Sequence, residues 1–216
     1  GESVIYAIAN VNNPPSEYSS QSDGQSLTEK IEAVKSISEL EKITAELSAP
    51  NSSNALFRIT DTHYIMSGFV ECSIATSGNN NIDIPLYRTD SKITFNIKAG
   101  TGTGSKCTNF TLLSYQVCKV AKKTALVPLA ENYDTGSENT DNYWNTEAGI
   151  QPEETNTITF YVPENIKSAK SSTGADTYAE REKWKSEGNK GASADDRTFV
   201  TAPDNGTYVV LHGLFE

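Results

Sequence analysis

The chain has 216 residues and a formal net charge of −10 at pH 7, with 28 acidic and 18 basic side chains. Nucleic-acid binding requires clustered lysine and arginine to neutralise phosphates, so this charge excludes nucleic acid as an expected partner. The length suits one large domain or two small ones, and a hydrophobic share of 36% is sufficient for a core. No run of about 18 apolar residues occurs, so we expect no membrane-spanning helix.

Cysteine and histidine usage indicates no catalytic, metal or cofactor site. The three cysteines are Cys72, Cys107 and Cys118, and no Cys-x-x-Cys spacing is present for zinc or redox chemistry. Two alternatives stay open for them, a Cys107–Cys118 disulfide or three buried or free thiols. His63 and His212 are the only histidines, and no Gly-x-Ser-x-Gly motif accompanies them, so we expect a protein that is not an enzyme and needs no cofactor.

The first 50 residues predict a strand followed by a helical insertion. Val4 to Val11 is apolar on both faces, which is typical of a central strand covered on both sides. Leu27 to Leu47 shows a period of 3.6, and Ser26 with Glu29 forms a capping-box pattern that Ser36 and Glu39 repeat. We therefore predict an insertion over 26–48 that contains two short helices, or one helix bent near 36–38.

Alternating strands dominate the middle of the chain. Ile93, Phe95, Ile97 and Ala99 alternate with polar residues, and Ile82, Ile84 and Leu86 show the same period of two. Further strands are predicted over 56–61, 64–76 and 109–120. Because each apolar face needs a second layer, the pattern predicts a mainly β protein built as a β-sandwich.

A long acidic segment divides this region from the rest of the sequence. Residues 131–156 contain seven acidic side chains, no lysine or arginine, and no periodicity, so we predict an acidic linker or long loop. The N-terminal domain would then span 1–130. The C-terminal unit, 157–216, contains two clear strands, Thr157 to Val162 and Thr207 to Phe215, which are too few for a closed sandwich.

Three aromatic residues are candidates for contact with a sugar or a protein. Tyr143 and Trp144 lie in the acidic segment, and Trp184 lies on a short helix predicted over 177–186. If these rings are exposed, the chain would be a surface glycan-binding module, whereas packed rings would be structural anchors.

Several segments together resemble the fimbrillin-like subunits of Bacteroidales surface fimbriae, the type V pilins and related adhesins. They occur in the order found in that family and cover most of the sequence apart from loops. They are the VIYAIANV strand with the helical insertion after it, Met66-Ser67-Gly68, Leu86 to Ile93, Phe160 to Asn165, and Thr207 to Gly213.

The resemblance implies tandem transthyretin-like Greek-key β-sandwich domains without enzymatic activity. It also implies export by a lipoprotein signal that this chain lacks, and a location at the outer membrane surface in a fimbrium, with a role in cell adhesion. Assembly would follow proteolytic trimming, when a groove accepts a strand from the next subunit by β-augmentation. The implied partners are other fimbrial subunits, and host or bacterial surface receptors or glycans.

The sequence differs from the family pattern at both ends. Family members carry a strand before VIYAIANV and several strands after TYVVLHG, so we expect this chain to be a fragment or a trimmed form. Its apolar edges would then be open to receive a strand. The residues predicted to form these acceptor edges are Ile5, Ala7 and Ala9 in the first strand, and Val209 and Leu211 in the last.

Overall fold

The computed structural model describes residues 1–50, 63–100, 108–127, 142–163, 165 and 206–216. These residues form a mainly β structure with several antiparallel sheets, as the alternating patterns predict. Two short α-helices and one 3₁₀ helix, Ser16–Tyr18, interrupt the strands. The remaining elements, in chain order, are β1 (Glu2–Ala9), α1 (Leu27–Glu32), α2 (Ile37–Leu40), β2 (Thr44–Glu46), β3 (Met66–Ser73), β4 (Tyr87–Arg88), β5 (Asp90–Asn96), β6 (Phe110–Cys118), β7 (Val120–Ala121), β8 (Lys123–Ala125), β9 (Tyr143–Trp144), β10 (Thr157–Pro163) and β11 (Tyr208–Phe215).

Six antiparallel pairings organise these strands into five small sheets. β3 lies between β1 and β4, and the other pairs are β5 with β10, β6 with β11, β2 with β8, and β7 with β9. Two extended runs change partner along their length. One changes at Thr89, between β4 and β5, and the other at Lys119, between β6 and β7. Lys119 has a φ of 58°, in the left-handed region, which interrupts the regular strand there.

The core draws side chains from strands on both sides of the predicted acidic linker. Tyr115 and Val117 of β6 are buried together with Ile158 and Phe160 of β10 and with Leu27 of α1. β10 pairs with β5, and β11 pairs with β6, so strands of the predicted C-terminal unit complete sheets of the predicted N-terminal unit. Within the described residues, strand pairing therefore runs across the predicted domain boundary.

The helical insertion is confirmed in its first part. Ser26 accepts a hydrogen bond from the Glu29 backbone, and the Glu29 carboxylate accepts one in return, so the capping box is complete. At α2, Ser36 again accepts from the Glu39 backbone, but the Glu39 carboxylate accepts from Lys35 N–H instead. The prediction of helix up to residue 48 is wrong, because Thr44–Glu46 forms β2 and pairs with β8.

Two strand predictions also need correction. β1 was predicted to be a covered central strand, yet it pairs only with β3 among the described strands, and none of its residues is buried. An apolar run rich in alanine leaves little side chain to bury, so composition overstated its coverage. Residues 82–86 form no strand. The end of this segment lies close against β3, where the Pro85 carbonyl oxygen is 1.8 Å from the position that a Cβ on Gly68 would occupy. The predicted strand over 56–61 lies outside the described residues.

Candidate strand-acceptor edges

The candidate site is built around β6, because its two edges have different neighbours. One edge pairs with β11 over the whole length of that strand. Along the other edge lies the described half of the predicted acidic linker. Tyr115 and Ile150 exchange two backbone hydrogen bonds of 2.9 and 3.1 Å, and the Thr146 N–H donates to the Val117 carbonyl at 2.9 Å. This half of the segment therefore closes a sheet edge.

Side chains complete the closure where the backbone of this segment turns away. The Asn156 amide accepts from Leu112 N–H at 2.7 Å and donates to the Phe110 carbonyl at 2.8 Å, as a neighbouring strand would do. Thr146 Oγ1 accepts from Val117 N–H at 3.0 Å. Buried backbone groups need such partners, so the second edge of β6 needs no further strand at these positions.

β11 forms the other side of this pair, and no described strand pairs with its outer edge. Natural edge strands are usually guarded by charged residues, proline or short length. β11 has eight residues, and none of them is aspartate, glutamate, lysine, arginine or proline. Its backbone groups along the outer edge therefore have no strand partner among the described residues.

Apolar side chains of β11 are also unusually exposed. Leu211 is 41% exposed, Leu214 is 56% exposed and Phe215 is 72% exposed. Leu211 lies opposite the buried Tyr115, so it shares the core-facing side of the sheet. The core thus continues onto β11 without being covered there, and an added strand would remove this surface from water. Covering each of these side chains would contribute on the order of 1 kcal/mol.

Gly213 allows β11 to lie close against β6. A Cβ at this position would be 2.3 Å from the Phe110 ring and 2.8 Å from the Thr111 carbonyl oxygen. The pairing also shifts here, from His212 opposite Ser114 to Gly213 opposite Leu112. Leu113 of β6 is the extra residue of this bulge. Because the bulge lies between β6 and β11, it does not protect the outer edge of β11.

The two predicted acceptor edges differ in character. Val209 and Leu211 lie on the core-facing side of β11, where Val209 packs against the core. Ile5, Ala7 and Ala9 alternate along β1 and are each half-buried. No described strand pairs with the second edge of β1 either, but this strand contains a carboxylate at Glu2, and Val4 is its one large apolar side chain that is markedly exposed, at 41%. β11 is the better acceptor on exposed apolar surface.

The candidate contact aromatics do not form an exposed platform where the structure describes them. Tyr143 is buried, with 5% of its surface exposed. Trp144 donates its indole N–H to the Leu47 carbonyl at 2.9 Å, and the Lys122 ammonium lies 3.8 Å from the centre of its ring. Both residues therefore anchor β9 on β7. Trp184 lies outside the described residues.

A buried polar pair holds the strand run of β4 and β5 at its change of partner. The Tyr18 hydroxyl donates to Asp90 Oδ1 at 2.5 Å, and Thr89 Oγ1 donates to Oδ2 at 3.1 Å. Burial raises the pKa of the Asp90 carboxyl to about 6, although these two hydrogen bonds oppose the shift. Sequence reasoning missed this pair, since Tyr18 and Asp90 are 72 residues apart.

The predictions about cysteines, metal ligands and membrane-spanning helices can be compared with the described residues only. Cys72 and Cys118 are free thiols, whereas Cys107 lies outside the described residues. No group of three or more metal-ligating side chains occurs among the residues that were described. Within the same ranges, no helix has the length and apolarity needed to cross a membrane.

Comparison with known proteins adds no relative to this picture. No protein-family model matches the chain, and no curated protein is significantly similar to it.

Proposed function

We propose that this chain is a structural or adhesive subunit of a cell-surface fimbria, and that it assembles by accepting a strand at the open edge of β11. The observation that carries the proposal is the combination on β11 of an outer edge that no described strand pairs with, eight residues without a guarding charge, and exposed apolar side chains. Soluble proteins rarely leave such an edge open unless another chain pairs with it.

Strand addition would use both kinds of interaction that β11 offers. Backbone hydrogen bonds along the outer edge would supply affinity for any extended segment. Leu211 and Phe215 would supply specificity, because an inserted strand must place apolar side chains over them. β6 could not accept the strand itself, since the 142–156 segment already closes its other edge.

The finer parts of the proposal rest on the motif resemblance. They are a transthyretin-like Greek-key sandwich, export as a lipoprotein precursor, proteolytic trimming before assembly, and a location at the outer membrane surface in a fimbrium. The partners would be other fimbrial subunits and surface receptors. The mainly β architecture is consistent with such a subunit.

Sedimentation velocity of the purified chain, before and after limited proteolysis, tests the proposal. We expect trimming to produce higher-order species whose amount grows with protein concentration. Leu211→Lys places a charge on the core-facing side of the open edge, so it should abolish these species. A chain that stays monomeric under both conditions would overturn the proposal.

Val4→Lys is the matched control, because Val4 has the same exposed fraction as Leu211 but lies on β1. We expect this variant to assemble as the parent chain does. Loss of assembly in Val4→Lys but not in Leu211→Lys would transfer the acceptor site from β11 to β1. Circular dichroism and thermal melting should show that both variants are folded.

A further inference from the structure

A second surface lies on the outer face of the β5–β10 pair. Residues directly opposite each other in an antiparallel pair share a face. Lys92 lies opposite Tyr161, and the intervening positions of β10, Ile158 and Phe160, are buried in the core on the opposite face. Tyr161 therefore points to the outer side, where its ring stacks with Tyr64 at a centroid distance of 6.1 Å.

Two cations converge on this tyrosine pair. The Arg88 guanidinium lies 4.4 Å from the centre of the Tyr64 ring, and the Lys92 ammonium lies 5.9 Å from the centre of the Tyr161 ring. The two hydroxyls are 3.4 Å apart. A guanidinium stacked on a ring keeps the N–H groups at its edge available to an acceptor in its own plane. We call Arg88, Lys92, Tyr64 and Tyr161 the cationic corner.

The cationic corner is unusual in a chain with a net charge of −10. Among the described residues, neither Arg88 nor Lys92 forms an ion pair with a carboxylate; the two ion pairs found there are Lys30–Asp23 and Lys123–Glu46. The one carboxylate on the same strand run, Asp90, is buried and accepts hydrogen bonds from Tyr18 and Thr89. Two positive charges at one point of an acidic surface are complementary to a negatively charged group.

Neutral polar groups continue from the cationic corner along the same face. Thr94 lies opposite Thr159 with their hydroxyls 3.0 Å apart, and the Thr157 hydroxyl donates to Asn96 at 3.1 Å. Two residues advance a strand by about 6.7 Å, so this row extends about 13 Å from Lys92 to Asn96.

We propose that this face binds an acidic oligosaccharide. The carboxylate of a uronic-acid unit would accept hydrogen bonds from Arg88 and Lys92, because charge-assisted bonds of this kind are the strongest available on the face. Hydroxyls of the following sugar units would bond with the threonine and asparagine row.

A carbohydrate fits this face better than a peptide does. An extended peptide draws most of its affinity from backbone groups at an open strand edge and from side-chain pockets. The outer face of β5–β10 presents side chains rather than the backbone groups of a strand edge, and its row is built of hydroxyl and amide groups. Sugar hydroxyls match such a row, and the site is independent of strand addition at β11.

Isothermal titration calorimetry of the purified chain with trigalacturonate tests the proposal, with maltotriose as the neutral match in size. We expect trigalacturonate to bind and maltotriose to bind at least about tenfold more weakly. Arg88→Gln and Lys92→Gln should each weaken binding by about tenfold. Thr94→Val should weaken it by a few-fold, because it removes a hydroxyl from the row but no charge.

Lys35→Gln is the matched control, because Lys35 is an exposed lysine between α1 and α2 and this change should leave affinity unchanged. Acetate and triglutamate complete the experiment. If acetate binds as tightly as trigalacturonate, the cationic corner is only a general anion site and the proposal fails. Equal affinity for triglutamate would overturn the choice of carbohydrate. Absence of trigalacturonate binding, or binding that survives both charge substitutions, would overturn the site itself.

Discussion

The two outer edges of the β6–β11 pair differ in whether their backbone groups have hydrogen-bond partners among the described residues. Along β6, the 142–156 segment provides partners for the backbone groups of the strand. Ile150 forms two backbone hydrogen bonds with it, and the side chains of Thr146 and Asn156 supply the others. Along β11, which has eight residues and no guarding charge, no described strand pairs with the outer edge, and Leu211, Leu214 and Phe215 are exposed. The difference shows that this chain can close a sheet edge with polar side chains, whereas the described residues supply no such closure for the outer edge of β11.

Gly213→Val should break the comparison most strongly, because it removes β11 from β6. The new side chain would begin 2.3 Å from the Phe110 ring and 2.8 Å from a backbone oxygen that cannot rotate away. We expect a loss of about 3 kcal/mol or more in the free energy of unfolding, measured by urea denaturation. Gly100→Ala is the control, since nothing lies within 4 Å of its Cβ position. A Gly213→Val chain as stable as the parent would contradict the close packing of β11 on β6.

Asn156→Ala should open the closed edge. It leaves Leu112 N–H and the Phe110 carbonyl without their amide partner, and it places alanine at a φ of 57°. We expect a destabilisation of about 2–3 kcal/mol in the same urea experiment. Asn79→Ala, in an exposed loop, should change stability by less than about 0.5 kcal/mol. If Asn156→Ala behaves like this control, its amide does not close the edge.

Asp90 provides a contrast with the closed edge of β6, which uses neutral side chains. Its carboxyl group joins β5 to Tyr18 through a hydrogen bond, and this group titrates. The folded-state pKa of about 6 lies above the value of 3.8 expected for an unfolded chain. The stability that comes from protonation is therefore complete below pH 3.8 and is lost as the pH rises through 6. From these two values, we expect the Asp90 contribution to fall by about 1–2 kcal/mol between pH 5 and pH 7.5.

Urea denaturation at several pH values, comparing the parent with Asp90→Asn, isolates this contribution. The difference between the two chains should change with pH over that range, and Asp83→Asn, in an exposed loop, should follow the parent. A difference that is constant from pH 5 to 7.5 would show that Asp90 does not titrate with a raised pKa in the folded chain.

Leu214→Lys should have the smallest effect on stability. Leu214 is 56% exposed at the open edge, so its replacement should change the free energy of unfolding by less than about 0.5 kcal/mol. A loss above about 1 kcal/mol would mean that Leu214 already packs within the isolated chain, and that the edge is less open than its exposure indicates.

Local sequence patterns predicted the elements in which each face lies in a single environment, either solvent or core. The period-two alternation in β5 places Lys92, Thr94 and Asn96 on a wet face, and the capping box starts α1 at the predicted residue. β10 and β11 also occur where alternating or apolar runs predicted them. The acceptor residues Val209 and Leu211 were chosen from the sequence, although only the fold showed how far Leu211 is exposed.

Periodicity failed where pairing over long distances in the chain decided the outcome. Thr44–Glu46 fits a helical pattern but forms β2, because pairing with β8 satisfies its backbone. The acidic segment shows no period, yet its second half closes β6 through Thr146 and Asn156.

Sequence by itself thus determined the mainly β class, the positions of most strands, and the absence of guarding charges on β11, since these depend on residue type and spacing over a few positions. Tertiary structure alone decided which edges are closed, that Tyr18 meets Asp90, and that Arg88 and Lys92 converge on two tyrosines. The physical reason is that strand order and register bring together residues far apart in the chain, and no local period records which strands become neighbours.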